Sequence, residues 1–336
     1  MERLEKGLWN SSFSHIYVER EVINHKTAKR IISMFNSSSI IEINHYKDMF
    51  CRSHQNFALQ KNAPKLILAA KKDNYIYEGS PMCDDFGNDN FYYTSSVMNC
   101  IYNCEYCYLQ GMYPSANIVI FVNIEDTIQE VERILKEKSM YLCVSYDTDL
   151  MSLENITGFV HKWLELTEKH KNLKIEIRTK SSNFSAIRDV KSMDNAILAW
   201  TLSPDLVAGK YEKNTPGLQA RLSSIVETMK AGWKVRLCFD PLLYISDWQK
   251  IYGDFVDQVF SNVDSNRILD VSIGVFRVSK EYMKKIKKIN MCSELLAYPY
   301  ETVNGVCSYN KKHSDELINY VVNKVEQCVP KEKVFY

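Results

Sequence analysis

The sequence predicts an α/β protein, a partial (β/α)6 barrel open on one side, preceded by a small α/β subdomain. Three observations carry this. From about residue 92, short apolar runs alternate with amphipathic stretches of roughly 10–20 residues, the pattern of βαβ units around a parallel sheet. Six runs have strand character. A cysteine-dense loop follows the first of them, at the C-terminal edge where α/β folds place their chemistry.

In chain order, His15-Ile-Tyr-Val-Glu19 reads as a strand and Ala28–Phe35 as a helix. Ile41–Ile43 leads into Asn44-His-Tyr-Lys-Asp48. These elements do not join the later alternation, so residues 1–85 are assigned to the subdomain. The barrel, residues 86–297, opens with strand-like Phe91–Ser96 and the cysteine loop at 99–111. Tyr141–Tyr146 is the second apolar run, followed by the amphipathic stretch Leu153–Glu168. Lys174–Lys180 alternates at period two, as a half-buried strand does. Next come Ala196–Ser203, the helical Leu218–Ala231, Lys234–Phe239, the helical Asp247–Phe260 and Leu269–Phe276. The tail, residues 298–336, holds a loop rich in Tyr and Gly and then a helix at Ser314–Val329.

Composition narrows the class. An apolar content of 46% over 336 residues is ample for a large core. The 42 basic and 41 acidic residues nearly cancel, so the global charge does not predict bulk polyanion binding, although a local patch would suffice. Met1–Gly7 lacks the apolar core of a signal peptide. No apolar run approaches the roughly 18 residues a membrane span needs. The ten cysteines are therefore expected to be reduced thiols of a cytoplasmic protein without membrane contact.

Cys100, Cys104 and Cys107 are the most informative residues. They stand at C-x3-C-x2-C within Asn99-Cys-Ile-Tyr-Asn-Cys-Glu-Tyr-Cys-Tyr-Leu-Gln-Gly111. Thiolates hold iron–sulfur clusters. Three of them leave one iron of a [4Fe–4S] cluster open to chelate the amino and carboxylate groups of S-adenosyl-L-methionine (SAM). A structural zinc site would want a closed set of four ligands, and no second C-x2-C pair or nearby histidine supplies it. The spacing resembles the radical SAM signature, whose reaction begins when one electron from the cluster cleaves SAM to a 5′-deoxyadenosyl radical. In such enzymes the cofactors carry the hard chemistry and the protein orients and shields it.

Beyond the triplet, the chain resembles the spore photoproduct lyase family, as a divergent, clostridial-type member. Cys104-Glu-Tyr-Cys-Tyr-Leu-Gln110 carries the likeness most closely. His15–Glu19 with Asn44-His45, Val119–Asp126, Pro216-Gly217 with Arg221-Leu222, and the closing Lys333-Val-Phe-Tyr336 extend it along the chain. The resemblance implies a radical SAM barrel and a DNA-repair lyase that returns 5-thyminyl-5,6-dihydrothymine to two thymines. It implies DNA carrying a thymine-dimer lesion as partner, a flavodoxin or ferredoxin as electron donor, and the spore core as the compartment in an endospore former.

The resemblance also assigns roles. The Tyr106 backbone meets the adenine of SAM. Thr148 and Asp149, in Tyr146-Asp-Thr-Asp149, match a segment that contacts SAM. Lys180 faces the SAM carboxylate, a cation meeting an anion, and Thr201 is a further contact. Tyr106 and Tyr108 flank the third cysteine as a relay returning the radical towards SAM, while also shielding the cluster.

Two departures stand out. Where the family carries its hydrogen-donor cysteine, this chain has Tyr146. Cys83, in Ser80-Pro-Met-Cys-Asp84, is the better donor, because a family subset places its cysteine in that segment. The family's Arg-Tyr pair falls within Tyr298–Gly305, where no arginine stands. Tyr298 or Tyr300 would stack on a flipped base, with Arg277 near the phosphates and Lys284–Lys288 read as a solvated face. Cys292, Cys307 and Cys328 lack the pairing that auxiliary clusters need. The alternatives are a family member acting on another substrate, and a non-catalytic iron–sulfur or zinc protein that binds nucleic acid.

Overall fold

The computed structural model describes residues 13–336, so the Met1–Gly7 segment lies outside the described residues. Contacts divide the chain into two compact units. The first runs to Ile101 and adds Tyr113–Arg178 and Ser185–Val190. The second comprises Tyr102–Met112, Thr179–Phe184 and Lys191–Tyr336.

The first unit holds a five-stranded sheet in the order Ser39–Ile43, His15–Glu19, Leu66–Ala69, Ile118–Phe121 and Val97–Met98. The first four are parallel and the last pairs antiparallel. Leu66-Ile-Leu-Ala69 and Ile118-Val-Ile-Phe121 are buried at every position, as parallel strands covered on both faces are. A second row in this unit pairs Phe91–Tyr93, Met140–Cys143 and Leu173–Thr179 in parallel. Tyr77–Glu78 adds an antiparallel edge.

The second unit continues the expected alternation. Ala196–Thr201, Lys234–Leu242, Ile268–Val275 and Val334–Phe335 pair in parallel. Every residue of Ala196–Thr201 is buried. All six strands expected from the barrel pattern therefore form, three in each unit.

Three local features differ from the sequence expectation. Ile118–Phe121 follows the cysteine loop yet pairs with Leu66–Ala69, so the sheet begun by the N-terminal residues is completed from beyond residue 85. The stretch read as one helix at Leu153–Glu168 breaks at Gly158, whose φ of 67° few other residues adopt readily. The Tyr- and Gly-rich tail loop contains an antiparallel hairpin, Glu301–Val303 with Val306–Ser308. Its turn is Asn304-Gly305, both at positive φ, as a two-residue hairpin turn demands.

Candidate active site

The cysteine loop is shaped by hydrogen bonds its own sequence supplies. Asn99 sits at φ 69°, a conformation asparagine tolerates better than most residues. Its buried side chain donates to the carbonyls of Ser115 and Asn117, at 2.7 Å each. The Lys61 ammonium caps the carbonyl of Cys100. These contacts lie in the first unit.

In the second unit, Asn103-Cys104 pairs antiparallel with Glu212-Lys213, opposing Cys104 to Glu212. Cys107 N–H donates to Cys104 carbonyl at 3.1 Å, closing a turn that a single helical turn, Leu109–Met112, continues. The buried Gln110 side chain donates to that same carbonyl at 2.6 Å and accepts from Asn290 at 2.7 Å.

Glu212 forms the centre of this region. It is buried, and its Oε1 accepts the hydroxyls of Tyr106 and Ser203, the latter at 2.8 Å. Arg221, fully buried, donates to Oε2 at 2.5 Å and to the Thr201 carbonyl at 3.0 Å. The Lys180 ammonium lies 3.9 Å from Glu212 Oε1 and 5.5 Å from the centre of the Tyr106 ring. Burial pushes the Glu212 carboxyl up, but Lys180 and Arg221 outweigh it and hold its pKa down at about 2. Burial works against the Lys180 ammonium, yet Glu212, Cys104 and Cys107 together raise its pKa. Burial raises the Tyr106 phenol well above the ordinary tyrosine value, with Glu212 adding to it.

The first unit gathers a different set. Cys83 is exposed on a turn, and its Sγ lies 3.8 Å from the Tyr146 hydroxyl. The Tyr146 ring stacks on Tyr93 at 4.1 Å, and Tyr93 stacks on Tyr77 at 4.9 Å. Burial, then the neighbouring Cys83, raises the Tyr146 phenol pKa, so its O–H stays protonated at neutral pH. A recess of about 410 Å³, lined in part by Gly79, Ser80, Phe91 and Tyr92, opens beside Cys83. Thr148 and Asp149 are both buried. Asp149 Oδ1 accepts from Ser152 N–H at 3.0 Å, capping the following turn.

Two features suit the cofactors that the resemblance implies. Thr148 Oγ1 is buried without a hydrogen-bond partner among the described residues, a group a bound ligand would satisfy. The Lys180 ammonium feels both Cys104 and Cys107, as a cation beside cluster thiolates and a ligand carboxylate would. Among the described residues, no three His, Cys, Asp or Glu side chains are gathered for a single metal ion. A cluster asks for a different arrangement, with thiolates on separate irons.

The family model described as spore photoproduct lyase matches residues 11–336. The chain belongs to the spore photoproduct lyase family. A curated relative, the spore photoproduct lyase of Clostridium acetobutylicum, is 21% identical over 253 residues, covering 71% of this chain and 74% of the relative. A solved variant of spore photoproduct lyase with bound AdoMet and dinucleoside spore photoproduct superposes with a TM-score of 0.82 at 16% identity, over 97% of this chain and 98% of that one. Spore photoproduct lyase complexed with dinucleoside spore photoproduct gives a TM-score of 0.82 at 15% identity, with 97% and 98% covered. Those likenesses establish the shared radical SAM fold, mixed α/β with parallel sheets.

The other sequence-selected residues take clear places. Tyr108 lends its carbonyl to the N–H groups of Gly111 and Met112. Tyr298 and Tyr300 pack into an aromatic cluster, with Tyr309 4.9 and 5.2 Å away and the Tyr300 hydroxyl donating to Leu295 carbonyl. Arg277 forms a forked pair with Asp240 at 2.9 and 3.2 Å. Lys284, Lys285, Lys287 and Lys288 are exposed, as a solvated face is. Sequence reasoning missed Glu212 and its partnership with Arg221. A lone glutamate beside a lysine gives no signal that it is buried.

Proposed function

We propose that this chain is the repair lyase that returns 5-thyminyl-5,6-dihydrothymine to two thymines. The observation that carries the proposal is the 3.8 Å approach of Cys83 Sγ to the Tyr146 hydroxyl. It brings an S–H group to the segment just past the strand Met140–Cys143, where the family places its hydrogen donor and this chain has a phenol. The family match through residues 11–336 supports the same conclusion.

Cys100, Cys104 and Cys107 would hold a [4Fe–4S] cluster, and Tyr106, Thr148, Asp149, Lys180 and Thr201 would bind SAM. Bound there, cluster and SAM would supply the radical chemistry that begins repair at C6 of the lesion. The chain's own task is then to give back one hydrogen atom after the methylene bridge has broken. An S–H bond is weaker than most C–H bonds, so Cys83 donates downhill and becomes a thiyl radical. Tyr106 and Tyr108 flank Cys107 as the relay that leads the radical back. The barrel at 86–297 would hold the cluster, and the segments 1–85 and 298–336 would help to cradle the lesion. A flavodoxin or ferredoxin would provide the electron, in the cytoplasm or spore core. No helix among the described residues is long and apolar enough to cross a membrane.

A second reading keeps the radical chemistry and changes the substrate. The Arg277–Asp240 pair favours it, since that guanidinium is already matched by a carboxylate, and Tyr298–Gly305 offers no arginine. The two separate in an anaerobic assay of reconstituted protein with reductant, SAM and a spore-photoproduct dinucleotide. The lyase restores the thymidine dinucleotide, and the restoration disappears in Cys104→Ala. Cleavage of SAM to 5′-deoxyadenosine without restoration favours the second reading.

A further inference from the structure

We propose that Glu212 and Arg221 act as a pair of positioning residues that present the Lys180 charge to the carboxylate of SAM. The inference rests on the radical SAM reading of the site and adds two residues to it.

Two cations, Lys180 and Arg221, share one carboxylate, and the sharing is unequal. Arg221 closes on Glu212 Oε2 at 2.5 Å and is anchored by Thr215 at 2.8 Å and by the carbonyls of Pro216 and Thr201. The Tyr106 and Ser203 hydroxyls both point at Oε1. With that oxygen already accepting two hydrogen bonds, Lys180 stands off at 3.9 Å. Arg221 is thus the closer partner of Glu212, and Lys180 is the cation of the two held at longer range. Without Arg221, Glu212 would be a buried carboxylate with Lys180 as its remaining cation. The ammonium would then neutralise it instead of meeting a ligand carboxylate.

The test is binding, not turnover. Cluster-reconstituted proteins are titrated with SAM and with 5′-methylthioadenosine, which shares the adenosine but has no carboxylate. Arg221→Met is expected to weaken SAM on the order of tenfold, the value of a charged hydrogen bond, with methylthioadenosine and iron content unchanged. Adding Glu212→Gln removes the competing carboxylate and is expected to restore SAM affinity. Lys180→Ala should show the same SAM-selective loss, and the double change should not rescue it. Parallel weakening of both ligands, or no restoration in the double variant, overturns the proposal.

Where Arg221→Met alone does not fold, the charge-neutral double variant decides: SAM affinity near wild type supports the pair's role, and a SAM-selective loss overturns it. Wild-type protein that binds neither ligand overturns the radical SAM reading and this inference with it. Wild type that binds both, with variants indistinguishable from it, overturns this inference alone.

Discussion

At Glu212 two effects oppose each other on one carboxylate. Burial disfavours its charge, while Lys180 and Arg221 favour it, and the pair of cations wins. A carboxyl whose folded pKa lies near 2, below its ordinary 4.5, contributes stability that is fully present above about pH 5. That contribution is lost as pH falls towards 2, when the folded state must take up the proton. It is on the order of a few kcal/mol. Denaturant unfolding from pH 6 to pH 2 should therefore show a steeper acid loss in wild type than in the Glu212→Gln/Arg221→Met double variant. Equal slopes would mean that the pairing contributes nothing to acid stability. Cys83 and Tyr146 illustrate what sequence offers at this scale. Each stood out in the sequence, one as a thiol upstream and one as an unexpected phenol, but their 3.8 Å contact joins residues 63 apart in the chain.

Among the elements, the single helical turn Leu109–Met112 is held close against its neighbour. It packs against the helix Lys280–Ile289, whose Met283 and Ile286 are buried. A Cβ at Gly111 would lie 2.4 Å from Tyr282 Cβ and 2.6 Å from its Cα. Backbone cannot retreat as a side-chain tip can, so Gly111→Ala forces the two helices apart. Overpacking of this kind costs about 1–3 kcal/mol. The melting temperature should fall by roughly a few degrees, and iron retained after reconstitution should drop with it. An unchanged melting curve would show that the contact has slack. Strands and helices were largely legible from their apolar residues: Ile175 and Ile177 within Lys174–Lys180, and uniform apolarity in Ala196–Thr201. The alternation of Lys174–Lys180 fails at Glu176, which is buried and accepts hydrogen bonds from Tyr141 and Arg178. What period does not carry is partnership. Nothing local in Ile118–Phe121 says that it will pair with Leu66–Ala69. Nor does the nine-residue spacing of Glu212 and Arg221, one on a two-residue strand and one on a helix, announce a buried ion pair.

At the scale of the whole molecule, family membership runs through both compact units. The fold class was legible because six strands alternate with helices and the cysteine loop follows the first. The substrate side was less so, since Tyr298 and Tyr300 turned out to pack among other aromatics. Their arrangement depends on His313 and Tyr244, distant in sequence. The proposed lyase takes its hydrogen atom from the Cys83 turn. One measurement tests it most directly: product analysis of spore-photoproduct dinucleotide after anaerobic turnover by wild type and by Cys83→Ala. Wild type should return thymidine dinucleotide as the main product. Cys83→Ala should still consume the lesion but lose most of the clean dinucleotide, because the substrate radical, left without a thiol hydrogen, goes to side products. Lesion left intact by wild type, or the same clean product from both proteins, would contradict the account.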